Sequence, residues 1–189
     1  MALDLQALPG ARPAPGTQFP PRGLAASSSG PSAGTPCASG HAAPAARALA
    51  RRLERLNAAL ARGVRACSET LWQGADRPAA TAPAAEVLHV ARQELTLARF
   101  IVAVASGRPL PPLREDAPAA PRALPSKEAA LLLLSHNGAT AAGLIADLTD
   151  EQMERATSVF GTRLTAAQLV EELLLAHVEE HYAPVLGRN

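Results

Sequence analysis

Leu173-Leu174-Leu175-Ala176-His177-Val178-Glu179-Glu180-His181-Tyr182 holds two of the five histidines of the 189-residue chain, four residues apart. On an α-helix, residues i and i+4 stand one above the other on the same face, so His177 and His181 project together. Leu169 and Leu173 continue the row backwards. The expectation is an apolar stripe, ending in two imidazoles, that faces the interior of a helical bundle. Neutral imidazole is a good ligand for zinc, nickel or iron, and two at this spacing can chelate one divalent ion. A secure site needs at least one more ligand from elsewhere in the chain.

Composition supports a helical reading. Alanine and leucine dominate and β-branched runs are short, which favours helix over strand. The formal net charge is +1, from 18 basic and 17 acidic residues, so no field of one sign points to nucleic acid or an anionic membrane. Aromatic residues make up 3% of the chain, too few for base-stacking platforms. Cys37 and Cys67 fall in different contexts and suggest no disulfide. The N-terminus lacks the basic residues and apolar run of a secretory signal, and a cytoplasmic location is expected. Ala129–Leu148 is long enough to span a membrane, but Ser135, His136, Asn137, Thr140 and Asp147 interrupt it; a buried bundle helix, with no membrane, is the reading.

Residues 1–43 are rich in Pro, Gly, Ser and Ala, carry almost no charge and show no periodicity. Such a segment buries too little apolar surface to offset its chain entropy, so a disordered tail is expected. Residues 44–189 form the domain. Leu49, Leu53, Leu56, Leu60 and Val64 recur at helical spacing and predict a first helix from Ala45 to Trp72, with Cys67 as a small buried hydrophobe on its apolar row. A second helix runs from Ala84 to Ser106 and carries His89 at a boundary between core and solvent. The proline-rich stretch 107–126 is a long crossover whose length lets its flanking helices run parallel or antiparallel. Ser126 caps a third helix that reaches Leu148, with His136 packed or lining a pocket in its middle. Thr149/Gln152 and Thr165/Gln168 are capping boxes, opening a short helix and then a fourth long one from Ala166 to Ala183, stopped by Pro184. The result is an all-α chain: a four-helix bundle with no strand, behind a disordered N-terminal tail. Cores of such bundles hold metal and ligand sites between facing helices. His89, His177 and His181 are on helices that can be neighbours, and three protein ligands with an open position make a catalytic type of metal site.

Three segments resemble the DinB-like superfamily of four-helix bundles, which includes mycothiol-dependent maleylpyruvate isomerases and thiol-dependent S-transferases. They are Ala85-Glu86-Val87-Leu88-His89-Val90-Ala91, the threonine-capped Leu164-Thr165-Ala166-Ala167-Gln168-Leu169-Val170, and the H-x3-H of Leu175-Ala176-His177-Val178-Glu179-Glu180-His181. The resemblance covers about Ala45 to Asn189. It implies that His89, His177 and His181 hold a divalent metal (Zn, Ni or Fe). It also implies that a low-molecular-weight thiol, as its thiolate, attacks a small electrophilic substrate.

Two neighbouring readings do not fit. A zinc protease needs glutamate directly after the first histidine, where Val178 stands. A di-iron carboxylate bundle wants Glu-x-x-His pairs from two helices, and Leu174 and Val178 occupy the glutamate positions before His177 and His181. Glu179 and Glu180 are read as facing solvent or orienting an imidazole. Catalytic residues are not assigned. The alternative to a metal-dependent S-transferase is a non-catalytic DinB-like module for binding or dimerisation; a homodimer is the generic expectation for a small bundle.

Overall fold

A computed structural model describes residues 41–74, 82–110, 124–159 and 161–186, with side chains up to Tyr182. The described chain is mostly helical. It comprises α1 (Pro44–Ala66), α2 (Glu69–Gln73), α3 (Pro83–Ala105), α4 (Lys127–Ala146) and α5 (Asp150–Glu154), then the strands β1 (Ala156–Val159) and β2 (Thr162–Thr165). The last rod joins α6 (Ala166–Leu169), a π-helical segment (Val170–Leu175) and α7 (Ala176–Leu186) without a break.

Four long helical segments share one core. α1 packs against α4 and the last rod, and α3 packs against the same two. Leu53, Leu60, Ile101, Leu134, Ile145, Leu169, Leu174 and Leu175 are among the fully buried side chains at its centre. The open question of direction across the 107–126 crossover is resolved. Asn137 reaches the Ala91 carbonyl at 2.8 Å, and farther along Leu144 lines the same cavity as Val102, so α3 and α4 run parallel. α1 is antiparallel to α4: Lys127 donates to the Cys67 carbonyl at one end, and the Ala43 amide donates to Leu148 O at 2.8 Å at the other. Parallel neighbours need a connection as long as the helices themselves, which explains the length of that stretch; residues 111–123 lie outside the described residues.

Several expectations need correction. The first helix does not reach Trp72. Cys67 turns extended (φ −64°, ψ 135°), and the Ser68 hydroxyl accepts the Leu71 amide at 3.2 Å, capping a new short helix. That break lets Trp72 bury completely and donate its indole N–H to Pro125 O at 2.9 Å. The region after Thr149 is not purely helical: β1 and β2 form an antiparallel hairpin, with Ala156 opposite Thr165 and Val159 opposite Thr162. β-branched residues favour strand there, and Gly161 takes the left-handed turn conformation at φ +80°. The folded domain also begins before residue 44. Ala43 is fully buried and Ala42 pairs with Thr149, so these two residues leave the expected tail; residues 1–40 lie outside the described set. α7 passes Pro184 and ends at Leu186.

Both capping boxes form. Thr149 and Gln152 exchange bonds of 3.0 and 3.3 Å, and Thr165 and Gln168 bonds of 2.9 and 3.2 Å. α4 is long and apolar enough to cross a membrane by length and composition; Ala130, Leu134, Asn137, Gly138, Ala141, Ala142 and Ile145 are buried against its neighbours, while Leu132 is exposed.

Candidate metal centre

The π-helical segment decides how the histidine pair is presented. A π turn closes i→i+5 instead of i→i+4, as the Ala176 amide does onto Glu171 O. One extra residue rotates the helix face. Leu173 is therefore only half-buried, and Leu174, Leu175 and Val178 take the core positions at 0% exposure. His177 and His181 do not extend the apolar row inward as expected. They sit half-buried at the edge of the core, on the flank that α7 shares with α3.

There they meet His89 of α3. Ring centroids are 5.1 Å apart for His89 and His177, 4.9 Å for His89 and His181, and 4.6 Å for His177 and His181. One ligand nitrogen from each lies within 4.8 Å of the other two. The sequence-predicted triad is thus brought together, and among the described residues it is the group whose donor atoms converge to hold a metal ion.

Electrostatics keep two of the three rings in the ligand form. Burial pushes His177 down to about 4, with the neighbouring imidazoles His181 and His89 adding to it. Burial lowers His89 as well, followed by the effect of His181, against an opposing pull from Glu86. Both rings are therefore neutral near pH 7 and carry a free lone pair. His177 Nε2 is buried without a hydrogen-bond partner. A buried ring nitrogen left unpaired costs free energy, and a metal ion would satisfy it. Three imidazole nitrogen donors suit zinc, nickel or iron(II).

Sequence reasoning missed the carboxylate of the site. Glu86, one helical turn before His89, accepts a hydrogen bond from His181 Nδ1 at 2.7 Å. That hydrogen bond is the first reason its carboxyl is held below the ordinary range. The available signal was the Glu86-x-x-His89 spacing, which puts carboxylate and imidazole on one face of α3. Glu179 and Glu180 are exposed, and Glu179 pairs with Arg52 at 2.6 Å, tying α7 to α1. His136 is exposed rather than packed; its neighbour Asn137 is the buried one. Cys67 is buried, and burial pushes its thiol up, as suits a small core residue. Cys37 lies outside the described residues.

A second polar cluster, unforeseen from sequence, lies among α1, α3 and α4. Glu94 is 0% exposed and accepts Asn57 Nδ2 at 2.9 Å. Burial pushes its carboxyl up to about 8. Glu94 Oε1 and Asn57 Oδ1 are buried without partners.

No family model, no curated protein and no solved structure matches this chain.

Proposed function

We propose that this chain is a DinB-like four-helix bundle that binds one divalent metal ion, zinc, nickel or iron, through His89, His177 and His181. We further propose that it acts in the cytoplasm as a metal-dependent thiol S-transferase or isomerase on a small molecule. The observation that carries the metal reading is the convergence of one ring nitrogen from each of three imidazoles to within 4.8 Å, together with a buried, unpartnered His177 Nε2. Three protein ligands leave room for an exchangeable one, the pattern of catalytic rather than structural metal sites.

When bound, the ion supplies Lewis acidity that lowers the pKa of a coordinated thiol or polarises a substrate oxygen. The chain's own residues do the rest. His89 and His177 stay neutral and hold their lone pairs inward. The half-buried setting of the rings limits competing water. The exposed Arg52–Glu179 pair links α7 to α1. In the transfer itself the thiolate sulfur adds to the β-carbon of an α,β-unsaturated acid, the C=C π pair moves to the α-carbon, and a proton equivalent to the one lost by the thiol is taken up there.

The test is turnover. The full chain, loaded with zinc or nickel, is given a low-molecular-weight thiol and an α,β-unsaturated acid. The expected result is thiol-dependent loss of substrate that falls at least about tenfold on chelation and returns with added metal, in keeping with metal catalysis. A metal-loaded protein inactive across a panel of thiols and electrophiles would instead mark a non-catalytic bundle.

A further inference from the structure

We infer that Glu86 is the positioning residue of the metal centre: it holds His181 as the Nδ1–H tautomer, so that Nε2 is the nitrogen offered to the ion. The inference rests on the metal-binding reading above and adds to it a residue outside the triad.

Glu86 and His89 are three residues apart on α3 and share a face. His181, from α7, lies with its ring 4.9 Å from that of His89, and its Nδ1 is 2.7 Å from Glu86 Oε2. An ionised carboxylate can only accept, so the proton between the two atoms belongs to the imidazole. In the neutral ring the remaining lone pair is then on Nε2. His177 presents the same atom, Nε2, buried and unpartnered. Metal-ligating histidines characteristically donate their other N–H to a carboxylate, which fixes the ring and raises its basicity.

The other possibility is that Glu86 is itself a fourth ligand. The donor atoms that lie within 4.8 Å of one another are those of His89, His177 and His181, and Glu86 is not in that set. Its 2.7 Å separation from His181 Nδ1 is that of a charge-assisted hydrogen bond. Both side chains keep some solvent contact, with exposures of 21% for Glu86 and 25% for His181, so the bond is not enforced by complete burial.

Three readouts on the full chain test this with Glu86→Gln, which keeps the shape and removes the charge. Zinc affinity is measured by competition with a chromophoric chelator, and the expected loss is 10–100-fold with one equivalent still bound at saturation. The cobalt(II)-substituted visible spectrum is expected to keep its band positions, since the ligand set is unchanged. Long-range proton–nitrogen NMR on the metal-free parent is expected to show His181 as Nδ1–H, with that bias weakened in the variant, whose amide can either accept from Nδ1 or donate to it. Unchanged affinity together with an unchanged tautomer would overturn the inference. A cobalt spectrum that shifts to a new ligand set would overturn it in favour of direct ligation. A parent that takes up no zinc would sink the metal reading, while the NMR arm would still decide whether Glu86 locks the ring.

Discussion

Glu94→Gln is expected to stabilise the protein at neutral pH, by an amount that grows with pH. Glu94 is 0% exposed, and burial pushes its carboxyl from the ordinary 4.5 to about 8. Between those values the unfolded chain releases this proton and the folded chain keeps it. The folded state then binds more protons, so stability falls by about 1.4 kcal/mol per pH unit across that window and levels off above it. At pH 7 the cost is on the order of 3 kcal/mol, which glutamine does not incur. Both the neutral acid and glutamine offer a donor and an acceptor to the cluster in which Asn57 Oδ1 has no partner, so the exchange is near-neutral at the acid end. His177 works in the opposite sense. Its folded value of about 4 lies below the ordinary 6.5, so its stabilising effect is complete above 6.5 and is lost as pH falls towards 4. Comparing the two proteins cancels it. Urea unfolding of parent and variant from pH 4.5 to 8.5 should show no gap at the acid end and a gap of roughly 3 kcal/mol at pH 7, or several degrees in melting temperature. A gap that does not change with pH would show that Glu94 is not a neutral acid in the folded protein.

Gly138→Ala is expected to destabilise, although alanine is the better helix former by about 1 kcal/mol. A Cβ at position 138 would stand 2.3 Å from Asn57 Nδ2 and 3.1 Å from Glu94 Oε2. The first distance is a hard overlap, so the Asn57 amide must leave and its 2.9 Å bond to Glu94 breaks. Overpacking together with two stranded polar groups costs roughly 3–4 kcal/mol, leaving a net loss of about 2–3 kcal/mol after the helix gain. Asn57→Ala removes the obstructing amide. In that background Gly138→Ala should cost much less than alone, a coupling of at least about 1 kcal/mol in a double-mutant cycle. Additive effects would mean that Gly138 is not there to make room for the Asn57–Glu94 pair.

Much of this architecture is legible in the sequence because its signals are local. Periodic leucines, Ser126 and the two capping boxes locate the long helices, and each box bond is present. The triad is legible because His177 and His181 share a helix and His89 stands on another helix of the same bundle. What escapes reading depends on atoms far apart in the chain. The Cys67 break is fixed by Trp72 reaching Pro125, 53 residues away, which no periodicity announces. The hairpin at 156–165 is short, and its β-branched residues are outweighed by the helical signals on either side. The π segment shifts the face of the last helix by one residue, a change invisible to a spacing rule that assumes one helical period. The Glu86-x-x-His89 spacing puts a carboxylate near one imidazole, but the ring it bonds, His181, is 95 residues on. Gly138 looks like a helix weakness until Asn57 is seen in the space of its missing side chain.

The central claim is that His89, His177 and His181 hold one metal ion, and the most direct measurement is metal content. The protein is purified without a polyhistidine tag, as parent and as His177→Ala, and both are assayed by elemental analysis after incubation with zinc, nickel or iron(II). About one equivalent per chain in the parent, and at least tenfold less in a His177→Ala protein with the parent's circular dichroism, is the result this account predicts, since three ligands make the site and two do not. A folded parent that takes up none of the three metals, or a variant that binds as well as the parent, would contradict it.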